Sequence, residues 1–144
     1  MDGNGGFDRE QAFAHAGALS DCALAWLEEP VDPLDFELHA ELARAWPVPL
    51  GTGENLFSAA DVRNLLRHGG LRPDRDLLQF DISLSYGVTE YLRIPGLLER
   101  YGWPRQCCVP HAGHLLEELH PRILSREVEH CRGGRRAVAA RGRV

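Results

Sequence analysis

Asp2, Glu28, Glu54, Asp81 and His111 follow one another at gaps of 26, 26, 27 and 30 residues, all but Asp2 just past a short apolar run. A gap of that size holds one strand, one loop and one helix. The repeat therefore predicts consecutive βα units, each delivering an ionisable side chain at the carboxyl end of its strand. Neighbouring strands lie about 5 Å apart, so three adjacent strand ends bring Asp2, Glu28 and Glu54 within reach of one ion. Carboxylate oxygens select a hard divalent cation, and Mg²⁺ fits best because it also accepts water and substrate oxygens. A single acidic residue at a strand end is ordinarily a solvated loop residue or a helix cap. Three at equal spacing outweigh that reading.

Glu29 competes with Glu28 for the ligand role. Successive strand residues face opposite ways, so only one of the two can point at the ion. Asp81 and His111, on the next two strands, form a candidate acid/base pair. A carboxylate beside an imidazole orients the ring and strengthens it as a base. His114 is an alternative partner for Asp81; the bland alternative to the pair, a structural hydrogen bond or an exposed histidine, is the weaker reading.

Between these residues the pattern alternates. Asp8 is the expected N-cap of a helix with Ala12, Phe13, Ala16 and Leu19 on one face. Leu24–Leu27 reads as a buried strand, and Asp32-Pro33 as the start of a helix running to about Arg44. Pro47–Leu50 is the next strand; Ser58-Ala59-Ala60-Asp61 resembles a capping box opening a helix that Gly69-Gly70 ends. Leu77–Phe80 is a strand, a helix follows from about Val88 with a kink expected at Pro95-Gly96, and Gln106–Pro110 is the last clear strand. Strands alternating with helices predict an α/β fold with a parallel sheet.

With 144 residues the chain makes about one domain, expected over 1–120, followed by a tail over 121–144. All 16 basic residues are arginine, and seven of them lie in 122–144 against Glu127 and Glu129. Residues 1–121 carry nine Arg against 19 Asp and Glu. The tail is read as disordered or loosely helical. Nucleic-acid binding through its arginines lacks support, since no aromatic residue interleaves with them and no recognition motif precedes them. No apolar run of roughly 18 residues is present, as a membrane span would need. The start, MDGNGGFDRE, lacks the basic and apolar regions of a signal peptide, so a cytoplasmic location is expected. Cys22, Cys107, Cys108 and Cys131 are read as buried free thiols. A zinc site from Cys107, Cys108, His111 and His114 has the wrong ligand spacing.

At Asp2-Gly-Asn4-Gly, Trp26-Leu-Glu28-Glu-Pro30, Gly53-Glu54-Asn55 and the strands ending in Asp81 and His111, the chain resembles the enolase superfamily. It is most similar to the mandelate racemase/muconate lactonizing enzyme group. Asp32-Pro-Leu-Asp-Phe-Glu-Leu, Gly53-Glu-Asn-Leu-Phe-Ser, Arg72-Pro-Asp-Arg-Asp and Leu78-Gln-Phe-Asp-Ile-Ser-Leu-Ser-Tyr-Gly look most like the D-tartrate dehydratase branch. The resemblance spans residues 2–114. It implies a partial (β/α)8 TIM barrel of about five parallel βα units, not closed. It further implies Asp2, Glu28 and Glu54 as Mg²⁺ ligands, His111 as acid/base supported by Asp81, and Asn4 and Asn55 as substrate contacts. The implied reaction removes the proton α to a carboxylate of a small hydroxy acid and then eliminates water.

The family's capping domain, its first two barrel strands and its Lys-x-Lys base have no counterpart here, and the chain contains no lysine. A catalytic-domain fragment with little or no activity alone is therefore expected. Its partners would be a hydroxy-acid substrate and a complementary N-terminal fragment or a homo-oligomer. The alternatives are a non-catalytic remnant pairing through open sheet edges, and half of a split enzyme.

Overall fold

A computed structural model describes residues 1–104 and 108–111, the last four through their backbone alone. Helix α1 spans Arg9–Ala18, and its start follows from a local exchange. The Asp8 carboxylate accepts from the Gln11 backbone N–H at 2.8 Å, and the Gln11 side chain accepts from that of Asp8 at 3.1 Å. This is the reciprocal capping box that satisfies two otherwise orphaned donors. Ala12 and Ala16 are buried and Phe13 and Leu19 half-buried, as the spacing predicts.

Strand β1 is only Leu27–Glu28, displaced toward the carboxyl side of the expected Leu24–Leu27. The ladder begins where partners exist: Leu27 N–H donates to Pro49 O, Glu28 N–H to Met1 O and Glu29 N–H to Gly51 O. Leu24 N–H turns back to Cys22 O instead. Helix α2 spans Phe36–Ala45 and starts at Asp35, which accepts from Leu38 N–H, rather than at Asp32. Asp32 spends its carboxylate on Leu34 N–H in a local turn, so the second of the two aspartates caps the helix.

Strand β2 is Leu50–Thr52, not Pro47–Leu50. Pro47 and Pro49 have no N–H to give, and Arg72 takes the carbonyls of Trp46 and Val48. Helix α3 spans Ala59–His68 behind Ser58, whose hydroxyl accepts from Asp61 N–H, and it ends at Gly69 as expected. Strand β3 is Leu77–Asp81. Pro95 divides the next helical stretch into α4, Val88–Tyr91, and α5, Ile94–Arg100, with the proline in the first turn of α5. Strand β4 is Cys108–His111.

The four strands form one parallel sheet in the order β1-β2-β3-β4, which is open among the described residues. Asp2 adds an isolated parallel bridge to Glu28 outside β1. Leu27 and Leu50 are packed with Ala12, Ala16, Leu42 and Ala43 of α1 and α2. Leu78 and Phe80 are packed with Val62 and Leu65 of α3 and Ile94 and Leu98 of α5. Each such leucine contributes roughly 1.5–3 kcal/mol by leaving water. Helices thus cover one face of the sheet, and the side chains between Leu27, Leu50, Leu78 and Phe80 belong to the other.

Asp76, fully buried before β3, accepts from Leu50 N–H at 2.9 Å and from the backbone and guanidinium of Arg72. Arg72 reaches on to Trp46 O, so this pair ties α2, β2 and β3 together at the amino ends of the strands. Among the described residues no helix is long and apolar enough to cross a membrane. Cys22 is a free thiol but exposed, which corrects the expectation that it is buried: it lies in the turns after α1, beyond the helix layer. His114 and the arginine-rich 121–144 lie outside the described residues.

Candidate functional site

The loops at the carboxyl ends of the strands gather the acidic residues. Met1–Gly3 runs beside β1, with Glu28 N–H donating to Met1 O and Gly3 N–H to Glu28 O, both at 2.8 Å. Asp2 is thereby held on the ladder as the neighbour of Glu28. Its carboxylate accepts from Asn4 N–H at 2.8 Å, closing a turn in which Asn4 takes a φ of 48°. Asparagine tolerates that left-handed geometry better than most residues.

Glu28 and Glu54 come together on a third residue. The Gln79 Nε2 amide donates to Glu28 Oε1 and, at 3.3 Å, to Glu54 Oε2. The Trp26 indole N–H donates to the other Glu28 oxygen, Oε2, at 3.4 Å. Trp26, Glu28 and Gln79 therefore share the sheet face that the helices leave uncovered, and Trp26 is 36% exposed there. The indole lies over Gly51, where a Cβ would sit 2.8 Å from Trp26 Cδ1. Sequence reasoning misses Gln79. Its one signal is position two residues before Asp81, which strand alternation turns to the same face.

Glu28 and Glu29 differ in burial and in partners. Glu29 is 1% exposed and has a φ of 34°. Its carboxylate accepts from Asn55 Nδ2 at 2.6 Å and, at 3.5 Å each, from Thr52 Oγ1 and Gly53 N–H. Asn55, expected as a substrate contact, thus gives its amide N–H to the protein.

Asp81 is 2% exposed, and its Oδ1 accepts from Ser83 N–H at 2.6 Å and Leu84 N–H at 3.3 Å. In the β3–β4 register Asp81 is paired directly with His111, so the backbone places the two expected acid/base residues side by side at the strand ends.

Among the described residues no three His, Cys, Asp or Glu side chains stand close enough to hold a metal ion as they lie. The donor set nonetheless suits one. Two carboxylates converge on a single positively polarised NH₂ group, and the backbone of a third acidic residue, Asp2, bridges to Glu28. All are hard oxygen ligands, the kind Mg²⁺ takes.

A buried titratable group away from the rim lies on a helix. His39 of α2 is fully buried, and neither ring nitrogen has a hydrogen-bond partner. Burial pushes its pKa below the ordinary 6.5, opposed in part by the charge of Asp35 and by the nearby backbone and charge of Asp32. The Asp32 backbone is close enough to oppose the shift without reaching hydrogen-bonding geometry.

Comparison with known proteins gives a consistent picture. Residues 1–131 match the family model described as enolase C-terminal domain-like. The chain is 34% identical over 102 residues to L-talarate/galactarate dehydratase of Salmonella typhimurium, covering 71% of this chain and 25% of that protein. It is 38% identical over 76 residues to D-galactonate dehydratase of Ralstonia nicotianae, covering 53% of this chain and 19% of that one. Among solved structures it is similar to L-talarate dehydratase from Polaromonas sp. JS666 complexed with Mg and L-glucarate. That match has a TM-score of 0.65 and 36% identity, over 76% of this chain and 28% of the other. The chain spans about a quarter or less of the length of the curated relatives it matches.

Proposed function

The chain belongs to the enolase C-terminal domain-like family, and we propose that it is the cation-binding portion of a Mg²⁺-dependent sugar-acid dehydratase. The observation that carries this reading is the meeting of Glu28 and Glu54 on Gln79, with Asp2 next to Glu28 on the ladder. The Asp2 bridge also supports counting about five βα units, the first contributing Asp2.

Asp2, Glu28 and Glu54 would hold the cation. When bound, Mg²⁺ supplies Lewis-acid stabilisation of the negative charge that develops on a substrate carboxylate as its α-proton leaves. His111 exchanges protons with the substrate and Asp81 orients it, a role supported by their direct pairing in the β3–β4 register. Asn4 sits beside Asp2 at the rim and would contact substrate there. Asn55 would do so through its amide oxygen, its N–H being taken by Glu29. Relatives that act on talarate, galactarate and galactonate support a sugar-acid substrate. The D-tartrate resemblance makes that smaller hydroxy acid a substrate to test beside them.

The chain as it stands would turn over little substrate, since it contains no lysine to serve as base. A second reading, a module completed by another polypeptide, is favoured by Trp26. Its indole is over one-third exposed on the sheet face opposite the helices, where a complementary fragment or second copy would cover it.

Isothermal titration with Mn²⁺ or Mg²⁺ tests the cation site. Binding is expected for the wild type and is expected to be lost in Glu28→Gln and Glu54→Gln. Undiminished binding in both variants would refute the site. Rapid 2-oxo acid formation from D-tartrate or galactarate by the purified chain would refute the expected lack of activity.

A further inference from the structure

Glu29 plays no part in the chemistry assigned above, yet it is among the most completely enclosed polar residues of those described. Its three donors are not scattered. Thr52, Gly53 and Asn55 all belong to the segment that carries Glu54, and Gly53 and Asn55 flank it on either side. Ionised carboxylates are buried only where hydrogen bonds replace water, so this grip is the condition for enclosing Glu29.

The backbone is bent to make it. An extended residue after Glu28 would point into the helix layer. Glu29 takes a left-handed φ of 34° instead, and its carboxylate meets the Thr52 hydroxyl at the end of β2. Non-glycine residues hold such geometry only where the surroundings over-determine it, and such sites cluster where function demands a fixed shape. From the opposite side Gly53 presses on β3: a Cβ there would lie 2.7 Å from Gln79 O. The Glu54 segment is thus clamped between Glu29 and the backbone of β3.

We infer that Glu29 is a positioning residue: by gripping the residues on either side of Glu54, it sets how far that carboxylate stands from Glu28. The inference rests on the cation-binding reading given above. Gln79 donates to both Glu28 and Glu54, and Trp26 to Glu28, while the backbone on either side of Glu54 is what Glu29 grips. Two like charges are then kept side by side in the metal-free protein, with one neutral amide spanning them. The cost of gathering them falls on folding rather than on cation binding.

The test uses the ¹⁵N-labelled full chain with Glu29→Gln, Asn55→Asp and the double variant E29Q/N55D. The double variant exchanges carboxylate and amide and so keeps the hydrogen bond with its direction reversed. The first readout, taken without metal, is the side-chain NH₂ resonance pair of Gln79, which donates to both Glu28 and Glu54. The second is Mn²⁺ affinity by electron paramagnetic resonance. Each single variant should move the Gln79 resonances and weaken Mn²⁺ binding by about tenfold or more, as loss of a residue supporting a metal ligand typically does. The double variant should recover most of both. A merely structural role would lower stability without this recovery.

Gln79 resonances left in place by the single variants, or a double variant no better than its parents, would overturn the assignment. Should E29Q fail to fold, Asn55→Ala breaks the same grip from its half-buried end and is read in the same way. A wild type that takes up no Mn²⁺ would sink the cation-binding reading. The Gln79 resonances would still decide whether Glu29 positions Glu54.

Discussion

The carboxylates of Glu28 and Glu54, carried by different βα units, accept from one donor, the side-chain amide of Gln79. Two like charges placed together need a partner between them, and in this protein a neutral amide on the third strand supplies it. Gln79 is nearly buried, so a leucine of similar shape can replace it without opening the surface.

Gln79→Leu is therefore expected to destabilise the metal-free chain by about 2 kcal/mol, the usual loss for a hydrogen bond to a charged group. Mg²⁺ takes over the missing positive polarity, so it should stabilise this variant more than the wild type. Urea denaturation with and without Mg²⁺ reads both effects. Equal stabilisation of the two proteins would argue against a cation at this point.

Asp76 supports the other end of the strands. It is fully buried and accepts from Arg72 and from Leu50 N–H, so its removal strands a guanidinium and a backbone donor together. Asp76→Ala should cost about 3 kcal/mol, the lower range for breaking a buried ion pair. Arg72→Lys should recover little, since an ammonium cannot reach Asp76, Trp46 O and Val48 O at once. Chemical denaturation of both variants checks this.

His39 gives stability a pH dependence of defined sign. Its folded pKa lies below 6.5, so the folded protein keeps the ring neutral while the unfolded chain binds a proton. Above pH 6.5 both states are neutral and the residue contributes no slope. As pH falls from 6.5 toward the lower folded value, stability drops by up to about 1.4 kcal/mol per unit, then levels off once both states are protonated. His39→Leu should flatten the dependence between pH 7.5 and 5.5. It should cost little at pH 7.5, because neither ring nitrogen has a hydrogen bond to lose. Denaturation curves at the two pH values would expose the idea as wrong if the variant kept the wild-type slope.

Gly53 has a φ of 128°, and an added Cβ would meet Gln79 O and the Phe80 ring. Gly53→Ala must shift the segment that carries Glu54. A loss of about 1–3 kcal/mol is expected, the usual cost of one strained backbone residue. Mn²⁺ affinity should fall with it, and intact affinity in the folded variant would show that Glu54 does not depend on this loop.

Some of this structure was legible in the chain itself. The caps Asp8 and Ser58 and the break at Pro95 were readable because each depends on residues a few positions away. The near-equal spacing of Asp2, Glu28, Glu54, Asp81 and His111 gave the βα period. Strand ends and the start of α2 were less legible, because a ladder begins where a neighbouring strand offers donors and acceptors. The prolines and Arg72 moved β2 toward Thr52, and Asp35 displaced Asp32 as the cap.

Spacing by itself determined that carboxylates arrive at successive strand ends, since the length of a strand, loop and helix fixes that interval. Only the tertiary structure decided which carboxylate of the Glu28–Glu29 pair meets Gln79 on the uncovered face and which is enclosed. It also decided that Gln79 joins Glu28 to Glu54 and that Arg72 and Asp76 fasten the opposite end. These are contacts between segments far apart in the chain, set by strand register and by a left-handed turn at one residue. Local sequence encodes neither, because both emerge only when the strands lie side by side.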